Sequence, residues 1–220
     1  TSTEYVADSG PAVASRNVIM TGQAIINATE NLLPEIKLAA SKLMDCPLQN
    51  IVIENDRVIN SAGNTHCSFE ELTEYMYQLN YRMETTGWWH VPDLNFNPED
   101  GNGEAYFSYS FATHLAKVKV DTLTGLVKVQ KIWAAHDVGT AINPAGIEGQ
   151  VEGGISQGIG WAVTENLKYD NGLVQNQNLS TYLLPTANDI SDVEVIIIEE
   201  SEPQGPWGAR GIGEPAIIPT

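Results

Sequence analysis

One carboxylate stands apart in this sequence. The stretch GPWGARGIGEPAII, Gly205 to Ile218, holds four glycines and two prolines in fourteen residues, with Glu214 fixed between Gly213 and Pro215. A segment so rich in glycine is a poor helix or strand and reads as a loop that presents the glutamate. A carboxylate held in tight, apolar, glycine-bounded surroundings loses hydration and becomes a better base near neutral pH. The alternative is a surface glutamate at a helix start, with Pro215 at the first helical position.

Two other stretches combine small residues with polar groups. In GTAINPAGIEGQVEGGISQGIGW, Ile147, Val151, Ile155 and Ile159 recur every four positions, as on one helix face. Each helical glycine costs about 1 kcal/mol relative to alanine, so Gly153, Gly154, Gly158 and Gly160 need an offsetting contact. Bare backbone admits either a packed chain segment or a flat ligand, to which Gln150 and Gln157 could offer amides. In SGPAVASRN, residues Ala12, Val13, Ala14, Ser15 and Arg16 stand at a helix start, where unpaired N–H groups attract an anion. Plain N-capping by Ser15 is the competing explanation.

The elements that must carry these groups follow from periodicity. Ser15 to Met44 has apolar residues at helical spacing, with Pro34 expected to kink the helix or start a second one. NIVIENDRVIN reads as two strands about an Asn55-Asp56 turn. Ser68 and Glu71 have capping-box spacing ahead of an amphipathic helix. TGWWHVPDLNFNPEDGNGE lacks a period and reads as a long ordered loop. HLAKVKV and GLVKVQKIWAA alternate, placing Ala116, Val118 and Val120, then Val127, Val129 and Lys131, on single faces of an antiparallel ribbon. NLKYDNGLVQN is a second hairpin and DVEVIIIEE a final strand. Separate blocks of helices and mostly antiparallel strands predict an α+β fold, in subdomains of about 1–100 and 101–220.

Composition narrows the partners. The 28 acidic side chains outnumber 11 basic ones, for a net charge of −17, which argues against nucleic acid. No apolar run reaches the roughly 20 residues of a membrane span, and the first residues lack the pattern of a signal peptide, so a soluble, cytoplasmic protein is expected. Cys46 and Cys67 form no metal or disulfide pattern and are expected as free thiols. His66, His90, His114 and His136 have no paired ligand spacing, so no metal ligand is expected among the side chains.

In chain order, GPAVASRNVIMTG, DVGTAINPAGIEGQVEGGISQGIGWAVTE, STYLLPTANDI and GPWGARGIGEPA resemble the C-terminal half of the molybdenum-binding part of the xanthine dehydrogenase and aldehyde oxidoreductase family. The resemblance covers nearly all 220 residues. It implies a molybdopterin cofactor, plain or as the cytosine dinucleotide, with molybdenum held by the pterin dithiolene. It also implies hydroxylation of an N-heterocycle such as a purine or nicotinate, or of an aldehyde, with oxygen from water. In that family the glutamate of the GEP motif, here Glu214, is the base, and Gly211 and Gly213 let it approach the metal. Gln150 matches a glutamine that hydrogen-bonds the cofactor region, and Ala12 to Arg16 the segment that touches the pterin and its phosphate. Arg210 stands where many relatives have Lys, and Trp207 is expected either to wall the pocket or, the favoured reading, to pack the core. Nothing here resembles the upstream half of the cofactor site, the iron–sulfur domains or the flavin (FAD) domain, so these are expected on other domains or subunits of a hetero-oligomer. A molybdenum-free interaction module that keeps the fold is the alternative.

Overall fold

The computed structural model describes residues 4–5, 10–13, 15–63 and 65–220, so the expectation for Ala14 lies outside the described residues. Two compact units emerge: residues 20–90, and residues 1–19 with 91–220.

The 20–90 unit takes most of α1 (Arg16–Leu43), a single 28-residue helix that contains Pro34, so no second helix starts there. The proline removes one hydrogen bond and crowds the preceding turn, yet buried Ala39 and Ala40 continue the helix beyond it. β1 (Ile51–Glu54) and β2 (Arg57–Asn60) pair antiparallel about Asn55 and Asp56, whose φ values of 50° and 58° are those of a tight hairpin turn. β3 (Thr65–Ser68) adds a third strand that the polar sequence THCS did not signal. Ser68 then caps α2 (Phe69–Gln78): its hydroxyl accepts the Glu71 N–H and the Glu71 carboxylate accepts the Ser68 N–H. Such a cap contributes about 1 kcal/mol. Ala39, Ala40, Ile51, Val58, Cys67, Leu72 and Met76 form the core. Cys46 and Cys67 are free thiols. The irregular return segment lies against α1, where Asn27 donates to the Trp88 carbonyl (2.6 Å) and Arg82 to that of Asn31 (2.7 Å). Gly87 is required there, since a Cβ would sit 2.6 Å from the Ala28 nitrogen.

The other unit is built on β4 (Phe111–Val120), β5 (Val127–Asp137) and β8 (Asp192–Ile198), in the order β4-β5-β8. β4 and β5 form the expected ribbon, but Lys117 pairs with Lys131 and Val118 with Val129, leaving Gln130 as an extra residue on β5. This bulge ends the simple alternation. Val127 and Val129 are half-buried before it, whereas Ile132, Ala134 and His136 are buried beyond it. On β4 the expected Ala116, Val118 and Val120 face is exposed. β8 joins β5 in parallel, in register from Lys131 opposite Asp192 to Asp137 opposite Ile198. Parallel pairing needs a long crossover, and α3 (Pro144–Ile159) lies within it. Asn143 caps α3 by accepting the Gly146 N–H, and Pro144 occupies its first turn. Val151, Ile155 and Ile159 then pack on Ile132, Ala134 and Ala216. The helix passes into a π-turn at Gly160–Thr164, followed by the small hairpin of β6 (Tyr169–Asp170) and β7 (Leu173–Val174). The fold is therefore α+β, with antiparallel pairing in the majority. Among the described residues no helix is long and apolar enough to cross a membrane.

Candidate active site

Three of the singled-out stretches converge. The Gln150 side-chain amide donates to the Gly213 carbonyl (2.9 Å) across 63 residues of sequence, and the Gly213 N–H donates to the Ser15 hydroxyl (2.5 Å) across 198. Gly213 thus has its N–H on the start of α1 and its carbonyl on α3. Ser15 takes a left-handed backbone (φ 56°) and gives its hydroxyl oxygen to this contact. Gly211 and Gly213 are needed because a Cβ on either would lie 2.7 or 2.6 Å from the Ser15 side chain. What these two glycines visibly accommodate is the approach of Ser15 to the loop. Ala12 and Val13 are exposed just ahead of α1, while Ser15 and Arg16 are half-buried.

Glu214 comes next in the chain and is exposed. These residues alone do not supply the dry, apolar enclosure expected from the glycine-rich sequence. Pro215 does not begin a helix either: residues 214–219 form turns, with the Ile217 N–H donating to the Glu214 carbonyl at 3.2 Å.

The backbone after Glu214 is held from below by α3. A Cβ on Gly154 would meet the Ala216 methyl at 2.7 Å, and one on Gly158 the Thr220 side chain at 2.6 Å. The glycine face of this helix therefore receives another chain segment, one of the two occupants its sequence allowed. Gly149 and Gly153 face open space. Farther along, Gly160 packs on Glu165, whose carboxylate accepts the Tyr182 hydroxyl (2.5 Å), joining the π-turn to the STYLLPT stretch.

The front of the loop is anchored by charge. The Arg210 backbone N–H donates to the Val138 carbonyl and the Thr140 N–H to that of Gly208, both at 2.8 Å, so the loop pairs with the end of β5. A Cβ on Gly139 would strike the Gly208 carbonyl, which requires glycine at this crossing. The Arg210 Nη1 donates to Glu202 Oε2 (2.7 Å) and to the Tyr109 carbonyl (2.8 Å). Its Nε lies 3.1 Å from Asp137 Oδ2 but off the hydrogen-bond axis, an ion pair rather than a directed bond. All three side chains are 8–13 % exposed. Ser108 also donates to Glu202 (2.8 Å), and Asp137 accepts the Gly139 N–H (3.0 Å). Neither Asp137 nor Glu202 was singled out from sequence, because their partner lies 73 and 8 residues away (210 − 137 and 210 − 202) with no local pattern. Trp207, expected in the core, is instead exposed, at a left-handed turn position (φ 51°).

Two histidines read as isolated in the sequence are a pair. His114 Nε2 and His136 Nε2 are 2.8 Å apart, and His114 Nδ1 is 2.9 Å from the Thr220 hydroxyl. Burial, and after it the neighbouring His136, push His114 down to about 4, and burial lowers His136 also. Both rings are neutral at pH 7. As pH falls from the ordinary 6.5 towards 4, the unfolded chain takes up protons that the folded one refuses, so stability falls through that window and is level above it. The urea midpoint of the assembled protein should decline between pH 6.5 and 5 more steeply than that of His114→Leu; equal slopes would exclude this coupling.

Comparison with known proteins gives a family match over residues 1–191, described as a molybdopterin cofactor-binding domain. A probable xanthine dehydrogenase subunit from Bacillus subtilis (strain 168) is 30 % identical over 98 % of this chain and 28 % of its own length. Xanthine dehydrogenase of Oryza sativa subsp. japonica is 29 % identical over 99 % of this chain and 15 % of its own. Among solved structures, quinoline 2-oxidoreductase from Pseudomonas putida 86 superposes with a TM-score of 0.76 and 30 % identity, over 94 % of this chain and 26 % of that one. The chain thus spans less than a third of the length of each of these relatives.

Proposed function

The chain belongs to the molybdopterin cofactor-binding domain family, as its xanthine dehydrogenase-like motifs implied, and from that premise we propose that it forms one side of a molybdenum hydroxylase active site with Glu214 as general base. The observation that carries this proposal is the joining of Ser15, Gly213 and Gln150 by two hydrogen bonds at the residue that precedes exposed Glu214. The residues present fit the group: Ala12, Val13 and Glu214 are exposed on the segments that Ser15 and Gly213 bring together, and Gly149 and Gly153 of α3 face open space. Bound there, the cofactor supplies a redox-active molybdenum that takes the two electrons released when a substrate C–H becomes C–OH with oxygen from water.

The chain's own work is positioning and proton transfer. Glu214 takes the proton lost by the water-derived oxygen as it adds to carbon. Gln150 and Ser15 hold Gly213, and with it the backbone that aims Glu214. The exposed Ala12-Val13 segment and the start of α1 offer backbone N–H groups to a cofactor phosphate, in the plain or the cytosine dinucleotide form. The proposed substrate is an electron-poor N-heterocycle such as a purine or nicotinate, or an aldehyde. The names of the relatives, xanthine dehydrogenase and quinoline 2-oxidoreductase, favour the heterocycle. The upstream cofactor-binding half, iron–sulfur clusters and FAD are proposed on other domains or subunits of a cytoplasmic complex.

Metal analysis of the native complex tests the proposal. Stoichiometric molybdenum is expected, with occupancy reduced in Gln150→Ala. A complex devoid of molybdenum would instead identify a molybdenum-free interaction module on the same fold.

A further inference from the structure

The backbone that follows Glu214 is tied to the sheet by a chain of hydrogen bonds whose direction can be worked out. The Thr220 hydroxyl donates its one hydrogen to the carbonyl of fully buried Ala216 (2.9 Å). Its oxygen must then accept from His114, so His114 carries its proton on Nδ1. A neutral His114 has only a lone pair left at Nε2, so the 2.8 Å contact requires His136 to donate from Nε2. With the Thr220 hydrogen on Ala216 the order is His136 to His114 to Thr220 to Ala216; turned to His114 Nδ1 instead, it would leave the buried Ala216 carbonyl without this donor. His136 is 1 % exposed on β5, the strand that anchors the sheet, and Ala216 is two residues beyond Glu214. From the other side Gly154 and Gly158 of α3 press on the same segment.

We propose that the His136–His114–Thr220 chain positions the Glu214 segment, making His114 and Thr220 positioning residues for proton transfer. This rests on Glu214 being the base. The chain passes through side chains only to a backbone carbonyl, so it fixes where residues 214–216 lie and carries no proton to substrate. α3 limits how deep the segment can sink, and the histidine chain limits how far it can lift. Adding a proton to His114 would place two N–H groups face to face and break the tie, so the arrangement exists only while the His114 ring is neutral.

The test uses the assembled holoenzyme with Thr220→Val, Thr220→Ser and His114→Leu, read by amide hydrogen exchange over residues 213–218 and by steady-state kinetics. Thr220→Val keeps the shape and removes both hydrogen bonds. It should speed exchange in that segment, including the Ile217 amide, and lower kcat about ten- to a hundredfold with little change in KM, as expected of a displaced catalytic group. His114→Leu should match it, and Thr220→Ser should restore both measurements, which bulk packing alone would not predict. Wild-type exchange and kcat in Thr220→Val would overturn the proposal even if His114→Leu fails to assemble. Faster exchange with unchanged kcat overturns the link to catalysis, and an active Glu214→Gln enzyme in the same series traces that result to the assignment of Glu214 instead.

Discussion

Glu214→Gln in the assembled enzyme should lower hydroxylation roughly 10²- to 10⁴-fold, the span that general-base catalysis provides, with molybdenum content unchanged. Glutamine copies the shape of the carboxylate and cannot take up the proton. The described hydrogen bonds that hold the loop run through the Gly213 backbone to Ser15 and Gln150, so they persist in the variant. The loss should fall on kcat and kcat/KM together, because the base acts in the transition state. An enzyme that keeps its turnover would remove Glu214 from the chemistry, and one that loses molybdenum as well would make it a cofactor-binding residue.

Arg210→Met should bring the largest loss of stability. Arg210 is the common cationic partner of buried Glu202 and half-buried Asp137, and removing it leaves both charges with neutral hydrogen-bond donors only. Breaking such a pair by deleting one member typically destabilises by about 3–5 kcal/mol, since a charge is left buried without compensation. Arg210→Lys should cost less, yet it cannot reproduce the fork that meets Glu202, the Tyr109 carbonyl and Asp137 together. Chemical denaturation of the assembled enzyme would measure both. Because Arg210 lies four residues ahead of Glu214 and its N–H bonds Val138, partial loss of activity should accompany the drop in stability. A methionine variant that unfolds with the wild type would show that the two carboxylates find other partners.

The parts of this site legible in sequence were those with short-range signatures. Glu214, Gln150 and the Ser15 segment are marked by glycine density and helical spacing, and their grouping by a motif order. Their neighbours left no such trace. His114 and His136 lie 22 residues apart and meet only because β4 and β5 pair in one register. Glu202 and Asp137 look like two of many acids until Arg210 is seen between them. The Gln130 bulge turned a simple alternation into two faces, and the β5–β8 pairing is parallel because α3 carries the crossover. The exposure of Glu214 and Trp207 is likewise a matter of which segments reach them.

By itself the sequence determined the hairpin turn at Asn55-Asp56, the Ser68–Glu71 cap, the register of apolar residues on α3 and the family, because each is set by residues a few positions apart or by a fixed order of motifs. Tertiary structure alone decided what those elements surround. It set Ser15 and Gln150 on opposite sides of Gly213, put one arginine between two acids, and built a neutral histidine pair behind Glu214. These contacts join groups distant along the chain, where hydrogen-bond direction and burial exist only once the backbone has brought them within 3 Å or so.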